Sequence, residues 1–230
     1  MKFQKSFQTL TEQQTELLFN HSAEIFRISA APVVVMPEPL SRNDRTICYK
    51  YLELPNSLVV SLQERILPTE EIMRIGYALA LIHTAESSKK GKYLLHGDFV
   101  PHNIFSNKDK VFIIDPHPPE RLEFREDIIY GDWRRDIISF IFGIFSDVGF
   151  REILPHRSYY MSLSHHFLDG YSRSLGSIIL FVSPLLRYTR DIYLLKRKAC
   201  FSRIRSFTHC IVGCFITIYA IGRYICKQQR

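Results

Sequence analysis

No glycine precedes Gly76 in this 230-residue chain, so a glycine-rich turn that could wrap phosphate groups is missing ahead of it. The five cysteines (Cys48, Cys200, Cys210, Cys214, Cys226) are an odd number and include no Cys-x-x-Cys pair. That pattern argues against a disulfide framework or a cysteine zinc site and implies a reducing, cytoplasmic setting. The opening Met1-Lys2-Phe3-Gln4-Lys5 lacks the apolar core of a signal peptide. The apolar stretch from Cys210 to Ile221 runs twelve residues, short of the roughly 20 that a membrane-spanning helix needs. Acid is scarce at the C-terminal end. From Arg187 to Arg230, ten Lys and Arg stand against Asp191 alone, so that segment carries +9 of a formal total of +7 and the first 186 residues carry −2. No internal repeat or low-complexity run is present. With 46% apolar and 23% charged residues, the chain reads as globular, with length for one domain or two small lobes.

What is there centres on Leu94-Leu95-His96-Gly97-Asp98-Phe99-Val100-Pro101-His102-Asn103, followed by Val111-Phe112-Ile113-Ile114-Asp115. An acid, an amide five residues later and a second acid ending an apolar run suit phosphoryl transfer. Asp98 would face the attacking hydroxyl, while Asn103 and Asp115 would hold Mg²⁺ on nucleotide phosphates. Magnesium wants hard oxygen ligands and keeps several waters, so two protein ligands plus phosphates suffice.

Here the sequence resembles the kinase-like phosphotransferases of the aminoglycoside phosphotransferase and choline kinase type. His96, Gly97, Asp98 and Asn103 match the family's H-G-D-x-x-x-x-N, and Ile114-Asp115 matches its metal-binding segment. The likeness runs roughly from Tyr51 to Tyr171. It implies an α+β, protein-kinase-like bilobal fold with ATP and Mg²⁺ as cofactors: a truncated N-lobe with hinge over 1–54 and a mainly helical C-lobe over 55–230. It also implies that Tyr51-Leu52-Glu53-Leu54 is the hinge, with backbone groups near Glu53 and Leu54 bonding the adenine edge. Asp136 matches a family aspartate that supports the catalytic loop through backbone hydrogen bonds. The family's first-lobe lysine would be Lys5, or Lys2, with Glu16, or Glu12, as its carboxylate partner. Solvated surface charges are the competing reading of these four. Only about fifty residues precede the hinge, which leaves three alternatives: a minimal kinase, a degenerate one, or a chain starting downstream of its first strands.

Pattern and turn signals place elements around this centre. Residues 1–8 read as a strand, Thr9 to Ile28 as a helix with Thr11 its N-cap, Pro32 to Met36 as a strand ended by Pro37 and Pro39, Ser41 to Asp44 as a turn and Thr46 to Leu54 as a strand. Thr69 to Ala85 reads as a helix capped by Thr69, with Ile72, Ile75, Leu79 and Ile82 on one face and Gly76 allowing close packing. Asn107-Lys108-Asp109 reads as a hairpin turn, Asp132 as a cap or turn residue and Trp133 to Phe145 as a helix. His83 and His96 read as structural, and His102 as loop filler or a substrate contact.

Asp115 is followed by Pro116-His117-Pro118-Pro119 with no Asp-Phe-Gly or Ala-Pro-Glu, and Gly97 stands where protein kinases commonly carry Arg. These departures favour a small molecule, sugar or lipid hydroxyl as acceptor over a protein, although a minimal protein kinase stays open. The tail reads first as a buried terminal helix and second as a membrane-surface helix. In the second reading the basic cluster from Lys196 to Arg205 would meet anionic headgroups, making the chain peripheral at a membrane or a degenerate interaction module. RNA phosphates would suit the same charges, but no nucleic-acid motif accompanies them.

Overall fold

The computed structural model describes residues 1–28, 32–85, 92–118, 124–148, 150–175 and 203–228. The N-terminal region is a small sheet backed by one helix. Strand β1 (Lys2–Ser6) pairs antiparallel with β4 (Thr46–Lys50), placing Lys5 opposite Ile47, and β3 (Pro39–Asn43) pairs with the other edge of β4. Helix α1 (Glu12–Arg27) starts in a capping box: Gln14 N–H donates to Thr11 Oγ1 at 3.2 Å and Thr11 N–H to Gln14 Oε1 at 2.9 Å, a device worth about 1 kcal/mol. Its buried stripe, Thr15, Leu18, Ser22 and Ile25, follows the 3.6-residue period and carries His21 with it. Ser22 Oγ lies 3.1 Å from the buried Tyr49 hydroxyl of β4, tying helix to sheet.

Four local expectations change. Ser41, Arg42 and Asn43 belong to a strand, and the turn is Asp44 and Arg45, with φ 45° at Asp44. Pro39 opens β3 instead of ending its predecessor, because an edge strand tolerates a proline at its first residue. The following strand stops at Lys50, and the segment from Tyr51 is irregular up to Ser57. Of the expected strand Pro32 to Met36, only β2 (Val34–Val35) forms; it runs parallel to β7 (Val111–Ile113), which pairs antiparallel with β6 (Ile104–Ser106).

The remainder is mainly helical. Ser57 caps α2 (Leu58–Glu64), and a left-handed Arg65 (φ 58°) ends it. Helix α3 (Thr69–Thr84) is preceded by Pro68 at the cap position with no side-chain bond, so Thr69 is the first helical residue and not the cap. Its apolar face, Ile72, Ile75, Leu79 and Ile82, is fully buried. Helices α4 (Arg134–Val148), α5 (Phe150–Ile153), α6 (Arg157–Leu175) and α7 (Arg203–Gln228) complete the set among the described residues. Helices α3 and α6 touch backbone to backbone. A Cβ on Gly76 would overlap the Phe167 carbonyl, and one on Gly170 the Met73 carbonyl. Beneath the loop from His96 to Asn103, Phe140 and Phe167 pack with ring centroids 4.2 Å apart, and Phe99 sits 5.4 Å from Phe140. Helix α7 lies against this core through Gly213, Thr217, Ala220, Ile221 and Tyr224. No helix among the described residues is long and apolar enough to cross a membrane. Lys196-Arg197-Lys198 lie outside the described residues.

Candidate active site

Strand β5 (Tyr93–Leu94) pairs with β8 (Tyr130–Gly131) and delivers the chain to Gly97. Gly97 has φ 89°, a conformation that favours glycine. A Cβ there would press within 3.2–3.3 Å of Pro118 N, His117 C and Ile128 O. Phe99, immediately after Asp98, is buried in the aromatic cluster and anchors the loop. Asp136, fully buried on α4, accepts from His96 N–H at 2.6 Å and Gly97 N–H at 3.2 Å. This matches the support role that the family resemblance implied. With its proton on Nε2, His83 donates to Asp136 at 3.2 Å, and its Nδ1 accepts from the Tyr171 hydroxyl at 2.8 Å. Trp133 stacks on Tyr171 at 5.7 Å, closing the network on its outer side. His83 is thus a structural residue, as expected.

A short 3₁₀ turn, Pro101–Asn103, brings the amide back to the acid. Asn103 Nδ2 donates to both the Asp98 carbonyl (2.9 Å) and the Asp98 carboxylate (3.0 Å), which leaves the amide oxygen for another partner. Ile114 N–H donates to the Asn103 carbonyl at 3.0 Å, tying this turn to the strand that ends at Asp115. His96 makes the second link. Its Nε2–H donates to the Ile114 carbonyl at 3.0 Å while Nδ1 faces Asp98 N–H at 3.4 Å. Asp115 itself adopts φ 55°, the left-handed region, a strained setting for a residue with a side chain. The hairpin turn between β6 and β7 forms as expected, Asn107 Oδ1 accepting from the N–H groups of Asp109 and Lys110.

Lys5 reaches across from β1 to place Nζ 2.8 Å from Asp115 Oδ2, with both side chains about one-third exposed. Glu16, expected beside Lys5, instead faces Arg42 at 3.7 Å. The reason is register on α1: Glu16 is on the exposed face, while the site-facing position is taken by His21. His21 is fully buried with Nε2 2.6 Å from the Leu95 carbonyl. Sequence reasoning missed it, although its spacing from Leu18 and Ile25 places it on the apolar stripe. It also missed His117, which is buried edge-on to Phe7 with Nε2 3.8 Å from Asp115 Oδ1. Glu53 is exposed and Leu54 half-buried on the irregular segment between β4 and α2. His102 is exposed, 3.4 Å from Asp147.

The electrostatics separate the two acids. Loss of water around Asp98 pushes its carboxyl up to about 7, against the opposing pull of His102 and the Asn103 bond. Burial would raise Asp115 too, but the positive charge around it, His117 when protonated and Lys5 near neutral pH, outweighs burial and holds it below its ordinary value. Burial pushes His117 down to about 3 and His96 to about 4, so both rings are neutral at pH 7. Asp136 stays below its ordinary value because its bonds to His83 and the loop amides offset burial. One carboxyl therefore titrates near neutrality while another stays ionised, a division that a base and a cation ligand would need. The donors also fit magnesium: Asp115 and the unused Asn103 oxygen are hard oxygens, two in number, and depend on phosphates to complete a shell. Among the described residues no three His, Cys, Asp or Glu side chains gather into a self-sufficient metal site.

No protein-family model matches the sequence, and no curated protein matches it. Solved structures do match in shape. A glucosamine kinase in complex with glucosamine, ADP and inorganic phosphate aligns with TM-score 0.56 at 13% identity, over 91% of this chain and 72% of the other. Two crystal forms of glucosamine kinase align at 0.57 and 0.56 with 12% and 11% identity, each over 96% of this chain and 70% and 73% of the other. At such identity shape is what is shared, and the chain has the bilobal protein-kinase-like α+β fold, a mixed N-terminal region joined to a mainly helical C-terminal one.

Proposed function

We propose that this chain is an ATP-dependent phosphotransferase that moves the γ-phosphate to the hydroxyl of a small molecule, sugar or lipid. The observation that carries the reading is Asn103 bonded to Asp98 and tied through the Ile114 N–H to the strand ending at Asp115, with Asp98 near 7 and Asp115 ionised beside Lys5. In it, Tyr51 to Leu54 is the hinge between an N-lobe over 1–54 and a C-lobe over 55–230, with Glu53 and Leu54 at the adenine edge. Asn103 and Asp115 would hold Mg²⁺, which when bound would supply charge neutralisation for the phosphates. Lys5, which offsets the Asp115 charge, turns one or more of its N–H donors to the phosphates. Asp98 orients the acceptor hydroxyl and takes its proton as the bond to phosphorus forms, since positioning dominates this chemistry. Asp136, His83 and His96 keep Asp98 in place. An acceptor with a free approach suits a site with Gly97 in place of a phosphate-reading Arg and with Pro116-His117 after the acid.

Calorimetric titration of the purified chain with ATP and Mg²⁺, then a screen of hydroxyl acceptors beginning with amino sugars, tests this. Magnesium-dependent ATP binding and transfer to at least one acceptor are expected, and an absence of both overturns the proposal. A degenerate, binding-only reading is favoured by one specific observation: β1, which carries Lys5, is the outer strand of its sheet, with no glycine-rich hairpin over the phosphates. ATP binding without transfer is the outcome that would select it.

A further inference from the structure

The last helix presents a face that the phosphotransferase reading does not use. On α7, Ile211, Phe215, Ile218 and Tyr219 are 37%, 69%, 38% and 56% exposed, at spacings that set them on one side of the helix. The opposite side is the one packed on the core, through Gly213, Thr217, Ala220 and Tyr224. Beside the exposed stripe, a groove between α6 and α7 opens into a cavity of about 630 Å³ and an adjoining one of about 330 Å³. Arg157, Arg223 and Lys227 line these cavities together with the hydroxyls of Ser158 and Ser162, and no carboxylate is among the described lining residues. Asp169, which bears on His165 in the groove, has its carboxylate 3.7 Å from His166. No acid follows Asp191 anywhere in the sequence.

We infer that the α6–α7 face docks the protein onto an anionic bilayer, the apolar stripe entering the headgroup boundary and the groove cations meeting lipid phosphates. A helix with a bare apolar side, basic flanks and no acid is the form that lies in a membrane interface and does not cross it. Charge decides among occupants. A second copy would oppose one cationic groove to another, which like-charge repulsion disfavours. RNA would gain from the cations but would leave Phe215 and Ile218 uncovered. An anionic lipid surface satisfies both halves of the face. Arg223 already spans them, donating to the Tyr219 hydroxyl at 3.2 Å with its guanidinium 5.9 Å from that ring.

The test is sedimentation of the full chain with phosphatidylcholine vesicles, with and without phosphatidylserine, at low and high salt. Binding to the anionic vesicles alone is expected, weakened by salt. The triple variant Arg157→Gln, Arg223→Gln, Lys227→Gln should bind about 10²-fold more weakly at low salt. Phe215→Ser with Ile218→Ser should lose binding while the thermal midpoint holds, since both side chains are exposed. Equal binding to both vesicle types, no binding to either, or unchanged binding by the Phe215/Ile218 variant overturns the inference. So does a dimer in solution that this variant dissociates, or RNA binding that it leaves intact while vesicles fail to bind.

Discussion

The two sides of the candidate site are held in different ways. On the C-terminal side, Asp98 belongs to a loop fixed from below by Asp136, from the side by His96 and from its own end by Asn103, nearly all of it buried. On the N-terminal side, Lys5 rides on an outer strand whose residues alternate between exposed and half-buried, and its ammonium is fixed by Asp115. The lesson concerns preorganisation. The acid is placed by groups that cost much to disturb, whereas the cation is placed by one partly exposed ion pair.

Breaking the rigid side should have the largest effect. Asp136→Ala leaves the buried N–H groups of His96 and Gly97 without an acceptor, at about 1–3 kcal/mol each, so urea unfolding should show a loss of about 3 kcal/mol or more. A loss no larger than that of Lys5→Ala would erase the contrast. Next, Asp98→Asn should keep ATP·Mg²⁺ affinity within a few-fold while slowing single-turnover transfer by about 10²–10⁴. If nucleotide binding vanishes instead, Asp98 is a ligand and not a base. On the loose side, Lys5→Ala should change stability by less than about 1 kcal/mol, as exposed pairs do, yet weaken ATP binding by roughly tenfold through a lost charged donor.

The smallest effect is a difference in pH dependence. His96, lowered from 6.5 to about 4, binds fewer protons folded than unfolded between those values, so its contribution is lost as pH falls through that window; His21 is lowered in the same direction. Asp98, raised from 3.8 to about 7, binds more protons folded than unfolded, so its effect on stability runs the other way and falls as pH rises. Thermal midpoints between pH 7 and 5 should therefore drop more steeply in Asp98→Asn than in wild type. Parallel profiles would mean that Asp98 titrates at its ordinary value.

These two sides also differ in how far the sequence revealed them. Asp98, Asn103 and Asp115 were readable because a loop and hairpin fix their spacing locally; in the structure Asn103 bonds Asp98, and the Ile114 N–H ties Asn103 to the strand that ends at Asp115. Lys5 was reachable only by its order along the chain, and its contact with Asp115 spans 110 residues of sequence that no local pattern encodes. Glu16 was misplaced because helix register, not proximity in sequence, decides which side chain of α1 faces the site. Pro37 and Pro39 hid β3, since the tolerance of an edge strand for proline depends on knowing which strand is at the edge. His21 lies on the apolar stripe of α1, so its burial follows the helix period, whereas the burial of His117 rests on tertiary packing against Phe7.

Trp133, the sole tryptophan in the chain, gives this network an optical handle. Its indole stacks on Tyr171, whose hydroxyl bonds His83, which in turn bonds the Asp136 that holds the loop carrying Asp98. Fluorescence excited at its absorption edge therefore reports from a single known place, one relay away from Asp98, without any label. Emission that shifts in Asp136→Ala but not in the Phe215/Ile218 variant would make it a real-time gauge of loop integrity, usable in stopped-flow mixing with nucleotide.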